Sequence, residues 1–349
     1  MKKLIAIGVC ALVMTCAWIT GCKKDTIDPG TWQAVTFNVP KGWPEPAYSF
    51  AGNKLTYDGF VLGRKLFYDV RLSRDSTISC GSCHQQFASF ANLGHDVSHG
   101  VENKIGTRNS PGLANMAWHT TFFWDGGVIN LENQPINPIQ NPVEMDLPMA
   151  DVVTRVKAAA DYKDMFISAF GDETVNSQRI FKAFAQFMGA MVSANSRFDK
   201  YARNEVGGTL TDHEMRGLTL MRQHCVTCHK EPLFSDFTFR NNGLQPLIGV
   251  NDSGRAHITR HDADLYKFKV PSLRNVAISA PYMHDGRLKT LEEVVEHYRT
   301  GIYTSATTDP LVAAGISMTD DDKKDIVSFL KTLTDSTFIN NKLFAEPAK

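Results

Sequence analysis

The sequence predicts a mainly α-helical protein built from two tandem helical domains. Three observations lead there. The pentapeptides C-G-S-C-H (80–84) and C-V-T-C-H (225–229) stand 145 positions apart, a spacing that suits one small domain per copy. Apolar residues recur at three- and four-residue steps in several stretches, as on the buried face of a helix. Strand-like alternation is sparse. The expected division is a leader at 1–21, an arm at 22–54, an N-terminal domain at 55–204, a C-terminal domain at 205–336 and a tail at 337–349. The 349 residues include 37 basic and 37 acidic side chains. That balance leaves no basic stripe to hold nucleic acid, which is excluded as a partner.

In chain order, Lys2 and Lys3 precede an uncharged apolar run at 4–18 and then Ile19, Thr20, Gly21 and Cys22. This reads as an export signal. The small residues before Cys22 resemble a bacterial lipobox, so Cys22 is expected to carry a lipid that anchors the chain to a membrane. Residues 23–46, with four Pro and two Trp, read as an extended arm from that anchor. Single helices are expected at about 149–170 and at 176–204, where Ile180, Phe181, Phe184, Phe187, Met188 and Met191 share one face. Thr211 opens T-D-H-E, a capping box, and its helix runs into the second pentapeptide. A box at Thr319 opens a helix carrying Ile326, Phe329, Leu330 and Leu333, and another helix begins near Leu291. The long segments 94–148 and 234–281 are rich in Gly, Pro and Asn, and loops of that length usually carry function.

Of seven cysteines, Cys10 and Cys16 leave with the signal and Cys22 takes the lipid. The remaining four all lie in the pentapeptides, with none left for a structural disulfide. Two thiols followed at once by a histidine are what a covalently bound c-type haem requires, thioethers from the thiols and an iron ligand from the histidine. Zinc wants its four ligands in one place, and these pairs are far apart in sequence. Two covalently bound c-type haems are therefore expected, on Cys80, Cys83 and His84 and on Cys225, Cys228 and His229, in an oxidising compartment, the periplasm.

Further motifs are L-G-R-K-L-F-Y-D before the first pentapeptide, R-N-S-P from Arg108, F-W-D-G from Phe123, N-P-V-E-M from Asn141 and P-Y-M-H-D-G from Pro281. In this order they resemble the bacterial di-haem cytochrome c peroxidases and the related methylamine-utilisation enzyme that matures tryptophan tryptophylquinone. The likeness implies two cytochrome c-like domains, hydrogen peroxide as substrate and a small electron-donor protein, cytochrome c or cupredoxin, with a homodimer as the assembly. It also assigns roles. Trp124 couples the haems, Gln134 positions peroxide, and Glu144 moves the proton that O–O cleavage requires. Asn109, with the backbone oxygens of Ser279 and Pro281, would hold a calcium ion between the domains.

Two departures matter. The family's switchable distal histidine on the N-terminal haem falls at Val101, so His99 is the nearest candidate and His95 a weaker one. The position of the family's methionine ligand to the C-terminal haem is Tyr298, the residue type of the methylamine-utilisation relative, with Met283 as rival. A tyrosinate ligand lowers a haem potential where methionine raises it. Three readings follow: a peroxidase reducing hydrogen peroxide at the N-terminal haem with electrons relayed through the C-terminal haem; a peroxide-dependent long-range oxidation of a protein or organic substrate through the Tyr298-ligated haem; and a lipid-anchored electron carrier without catalysis.

Overall fold

The computed structural model describes residues 37–348. The expected leader, the lipidation candidate Cys22 and the first part of the arm lie outside the described residues. Among the described residues no helix is long and apolar enough to cross a membrane.

The first half is organised by α1 (Tyr57–Tyr68), whose N-cap Thr56 accepts a hydrogen bond from the Gly59 amide. Helix α2 (Cys80–Cys83) is the first pentapeptide and α3 (Ile136–Gln140) a single turn ahead of the N-P-V-E-M segment. The helix expected at 149–170 is two helices, α4 (Met149–Ala158) and α5 (Ala160–Phe170), broken where Ala159 turns to extended backbone. Residues 176–204 likewise form α6 (Ser177–Gly189) and α7 (Arg197–Ala202). The break has remote causes. The Ser193 amide donates to Asn115 Oδ1 at 2.8 Å and the Asn195 amide to Asp335 Oδ2 at 2.9 Å, so these backbone donors bond outside the helix. Ser196 and Asp199 then restart it as a capping box. Helices α1 and α6 cross at Gly63, where a Cβ would stand 2.0 Å from the Ala183 carbonyl oxygen. Only glycine permits that approach.

The second half repeats the plan. Helix α8 (Asp212–His224) starts at the capping box of Thr211 and Glu214 and ends against Cys225, and α11 (Asp320–Lys331) starts at the box of Thr319 and Asp322. They cross at Gly217, where a Cβ would meet the Asp325 carbonyl oxygen at 2.0 Å. Between them come α9 (Ala256–Thr259) and α10 (Leu291–Thr300), the latter boxed by Thr290 and Glu293. Leu218, Met221, Phe234, Leu291, Val295, Ile326 and Phe329 pack into this half's core. Strands β1 (Phe239–Arg240) and β2 (Phe268–Lys269) pair antiparallel, Phe239 opposite Lys269. The protein is thus mainly helical, in two halves that each carry one of the pentapeptides.

The halves share more than the helix crossing. Residues 111–128 and 271–288 match at an offset of 160, with Pro, Leu, Asn, Ala, Asp and Gly recurring at Pro111, Leu113, Asn115, Ala117, Asp125 and Gly126. Their backbones match too: Asn115 and Asn275 are left-handed, as are Phe123 and Met283, and Phe122 bridges Val128 as Tyr282 bridges Leu288. Both asparagines donate to Ser193, Asn115 to the serine's backbone carbonyl and Asn275 to its hydroxyl.

The C-terminal segment crosses back to the first half. Helix α12 (Ser336–Ile339) brings Phe338 and Phe344 against Phe90, at centroid separations of 5.8 and 6.5 Å. Arg64 and Tyr68 of α1 donate to the carbonyls of Leu343 and Phe344 at 3.0 and 2.7 Å.

Candidate active site

A cavity of about 240 Å³ opens at the second pentapeptide, lined by Cys225, Cys228, His229, Met283, Tyr298 and Lys269 among others. His229 Nδ1 lies 3.1 Å from the Phe234 carbonyl, and burial lowers its basicity. A neutral imidazole held this way keeps Nε2 for a metal. Burial pushes the Cys225 thiol up to about 12. A redox dithiol needs the opposite shift, so buried, protonated thiols beside a tethered histidine fit thioether attachment of haem better. Burial likewise pushes the Tyr298 phenol up to about 12. Among the described residues no cluster of three His, Cys, Asp or Glu could hold a metal ion by itself.

The first pentapeptide has the same geometry. His84 Nδ1 lies 2.7 Å from the Phe90 carbonyl, and burial lowers its basicity and pushes the Cys80 thiol up to about 12. The Cys83 thiol reaches the His99 carbonyl at 3.6 Å. Gly100 lets the chain press against Glu144, a Cβ there falling 2.5 Å from the Glu144 Cα, and the Val101 amide donates to the Glu144 carbonyl at 2.8 Å. Glu144 is close enough to Cys80 and Cys83 to raise their thiols further. Its own carboxyl is raised by burial, against which a 2.8 Å bond from Asn141 to Oε1 works. Gln134 is only 8% exposed, and its side chain has no hydrogen-bond partner among the described residues. Val101 is fully buried, and the His99 ring packs edge-on to His95 at 4.7 Å.

Between the two sites the chain forms a short polar bridge. Trp124 donates its indole N–H to the Asn109 carbonyl at 2.9 Å, and the Asn109 amide donates to the His284 carbonyl at 2.7 Å. His284, the repeat equivalent of Trp124, stacks on Phe268 at 3.7 Å. Arg108 clamps the bridge with bonds of 2.6 to 2.8 Å to Asp125 and Asp252. Asn109, Ser279 and Pro281 all line the cavity at the second pentapeptide; the Asn109 amide nitrogen bonds the carbonyls of His95 and Asp96 at 3.3 and 3.1 Å, and its Oδ1 has no partner among the described residues.

Two cavity residues escape motif reading. Asn242 holds both Met283 and Tyr298, and Lys269 is a buried amine, lowered by burial to about 7, that donates to the Thr121 carbonyl at 2.7 Å. Neither sits in a motif. The 160-residue offset would have located the turn that carries Met283 and His284 as the counterpart of the one that carries Trp124.

A family model described as di-haem cytochrome c peroxidase matches residues 58–207. The methylamine utilization protein MauG of Methylorubrum extorquens is 34% identical over 308 residues, 85% of this chain and 83% of that protein. The cytochrome c551 peroxidase of Nitrosomonas europaea is 34% identical over 277 residues, 78% of this chain and 79% of that one. Among solved structures, a MauG-like protein associated with microbial copper homeostasis superposes with a TM-score of 0.82 at 35% identity, covering 90% of this chain and 99% of that chain.

Proposed function

Because this chain belongs to the di-haem cytochrome c peroxidase family, we propose that it reduces hydrogen peroxide to water at the N-terminal haem, with electrons relayed through the C-terminal haem from a small donor protein, cytochrome c or cupredoxin. The observation that carries this reading is Glu144, a carboxyl beside the first pentapeptide that burial has made more basic. Haem, when bound, supplies the iron that takes peroxide and passes the two electrons its reduction consumes. Glu144 takes the proton from one peroxide oxygen and delivers it to the other, which leaves as water. Two further protons, taken up from solvent, and two electrons reduce the remaining oxygen to the second water. Gln134, with its amide unengaged, binds and orients the peroxide. His84 and His229 stay neutral, each fixed by a carbonyl. Trp124 cannot pass its indole proton to a base, because its partner is the Asn109 carbonyl; it conducts electrons between the halves and keeps that proton.

In this reading residues 55–204 form the peroxidatic domain and 205–336 the electron-transfer domain. Asn109, Ser279 and Pro281 hold a calcium ion between them, and Cys22 tethers a periplasmic protein, a homodimer, to a membrane. His99 is the remaining candidate for a displaceable ligand on the first haem, since its carbonyl already touches Cys83. A second reading, peroxide-driven oxidation of a protein or organic substrate, is favoured by Tyr298 in the cavity wall. The peroxidase relatives leave the electron carrier without catalysis unsupported.

Peroxide consumption by the holoprotein with reduced cytochrome c tests the proposal. Glu144→Gln is expected to lower turnover by about 10²- to 10⁴-fold with both haems retained; undiminished turnover would remove the proton-transfer assignment. Slow wild-type turnover that rises in Tyr298→Met would favour the second reading.

A further inference from the structure

We propose that Asn242 is the positioning residue that decides which side chain binds the second haem iron, holding Tyr298 to it and keeping Met283 away. This rests on reading the cavity as a haem site. The Asn242 amide nitrogen lies 3.3 Å from Met283 Sδ and 3.5 Å from Tyr298 Oη, so the two rival ligands meet on one group. That nitrogen carries two N–H donors, one for each.

The rest of Asn242 is tied down. Its backbone carbonyl bonds His297 Nε2 at 3.0 Å, and its Oδ1 accepts from the Leu244 amide at 3.3 Å. On one side Asn241 is fixed by Ser305 and Thr307, and on the other Gly243 accepts from the Tyr303 amide at 2.8 Å. His297 immediately precedes Tyr298 on α10, so one helix both presents the phenol and locks the amide that greets it. Met283 sits at a left-handed backbone position (φ +72), in the turn that recurs at Phe123 (φ +66), which fixes where its side chain starts.

The amide does not treat its two partners alike. An iron-bound tyrosine oxygen carries negative charge, and a hydrogen bond to an ionised acceptor is about twice as strong as a neutral one. A thioether is a weak acceptor whether bound or free. The Asn242 donor therefore favours the state with Tyr298 on the metal, and its second N–H holds the Met283 sulfur off it.

The test uses the holoprotein, its optical and electron paramagnetic resonance spectra and the reduction potential of the second haem. Asn242→Leu keeps the side-chain size and removes both donors. It is expected to lose the phenolate-to-iron charge-transfer absorption, to gain the near-infrared band of histidine–methionine ligation and to raise the potential. Adding Met283→Leu should abolish the new band. If Asn242→Leu fails to load haem, Asn242→Asp reads the same effect, since it keeps the shape and sets a negative charge against the phenol oxygen. A phenolate band and potential unchanged in the variant that loads would overturn the role of Asn242. Tyr298→Phe separates that failure from failure of the cavity reading. A spectrum unaltered by Tyr298→Phe would mean Tyr298 is not the ligand, and the proposal falls with it.

Discussion

At the residue scale peroxide reduction turns on Glu144. Its ionised form is the one that accepts a proton, so acidification abolishes the function as the carboxyl is protonated. Because burial raises its pKa, turnover should begin to fall at a pH above the ordinary carboxylate range. The pH profile of peroxide consumption checks this: Glu144→Gln should flatten the acidic limb, and an identical limb in both proteins would assign it to another group. The two pentapeptides were legible in sequence because covalent haem attachment demands contiguous Cys-x-x-Cys-His. Glu144 and Trp124 were reached only through resemblance, since a lone carboxylate or indole carries no local signature. Asn242 was not legible at all. Its partners come from 41 and 56 residues further along the chain, and no short pattern encodes that meeting.

At the scale of elements, one helix crossing organises each half, α1 on α6 in the first and α8 on α11 in the second. Each is closed by a glycine with a carbonyl oxygen 2.0 Å from where a Cβ would stand. Gly63→Val and Gly217→Val should each lower stability by about 1–3 kcal/mol, the usual cost of overpacking, read as a lower urea midpoint; unchanged midpoints would show that the crossings can open freely. The capping boxes at Thr211 and Thr319 were visible in sequence because all their partners lie within one turn. The breaks at Ala159 and at residues 190–196 were not. Apolar periodicity runs through both breaks, and the second depends on Asn115 and Asp335, 78 and 140 residues from the amides they bind.

At the scale of the whole molecule, the chain's end belongs to its beginning. Phe338 and Phe344 pack on Phe90, whose carbonyl holds His84, so the C-terminal segment backs the residue that fixes the first pentapeptide's histidine. Phe344→Ala should cost about 3–5 kcal/mol, as for other buried aromatics, and should alter the spectrum of the first haem in preference to the second; equal effects on both would contradict this placement. Joining the two halves are the Asn109 backbone between Trp124 and His284, Arg108 bridging Asp125 and Asp252, and Arg274 paired with Asp199 in the interior. The two-half plan could be read from the pentapeptides, while these joints unite residues remote in sequence. Peroxide reduction requires one half to keep an iron accessible to peroxide beside Glu144. Stopped-flow mixing of the reduced holoprotein with hydrogen peroxide tests it most directly. The visible spectrum of one haem should change rapidly, and in Glu144→Gln on the order of a hundredfold or more slowly; a wild-type spectrum that does not respond to peroxide would contradict the account.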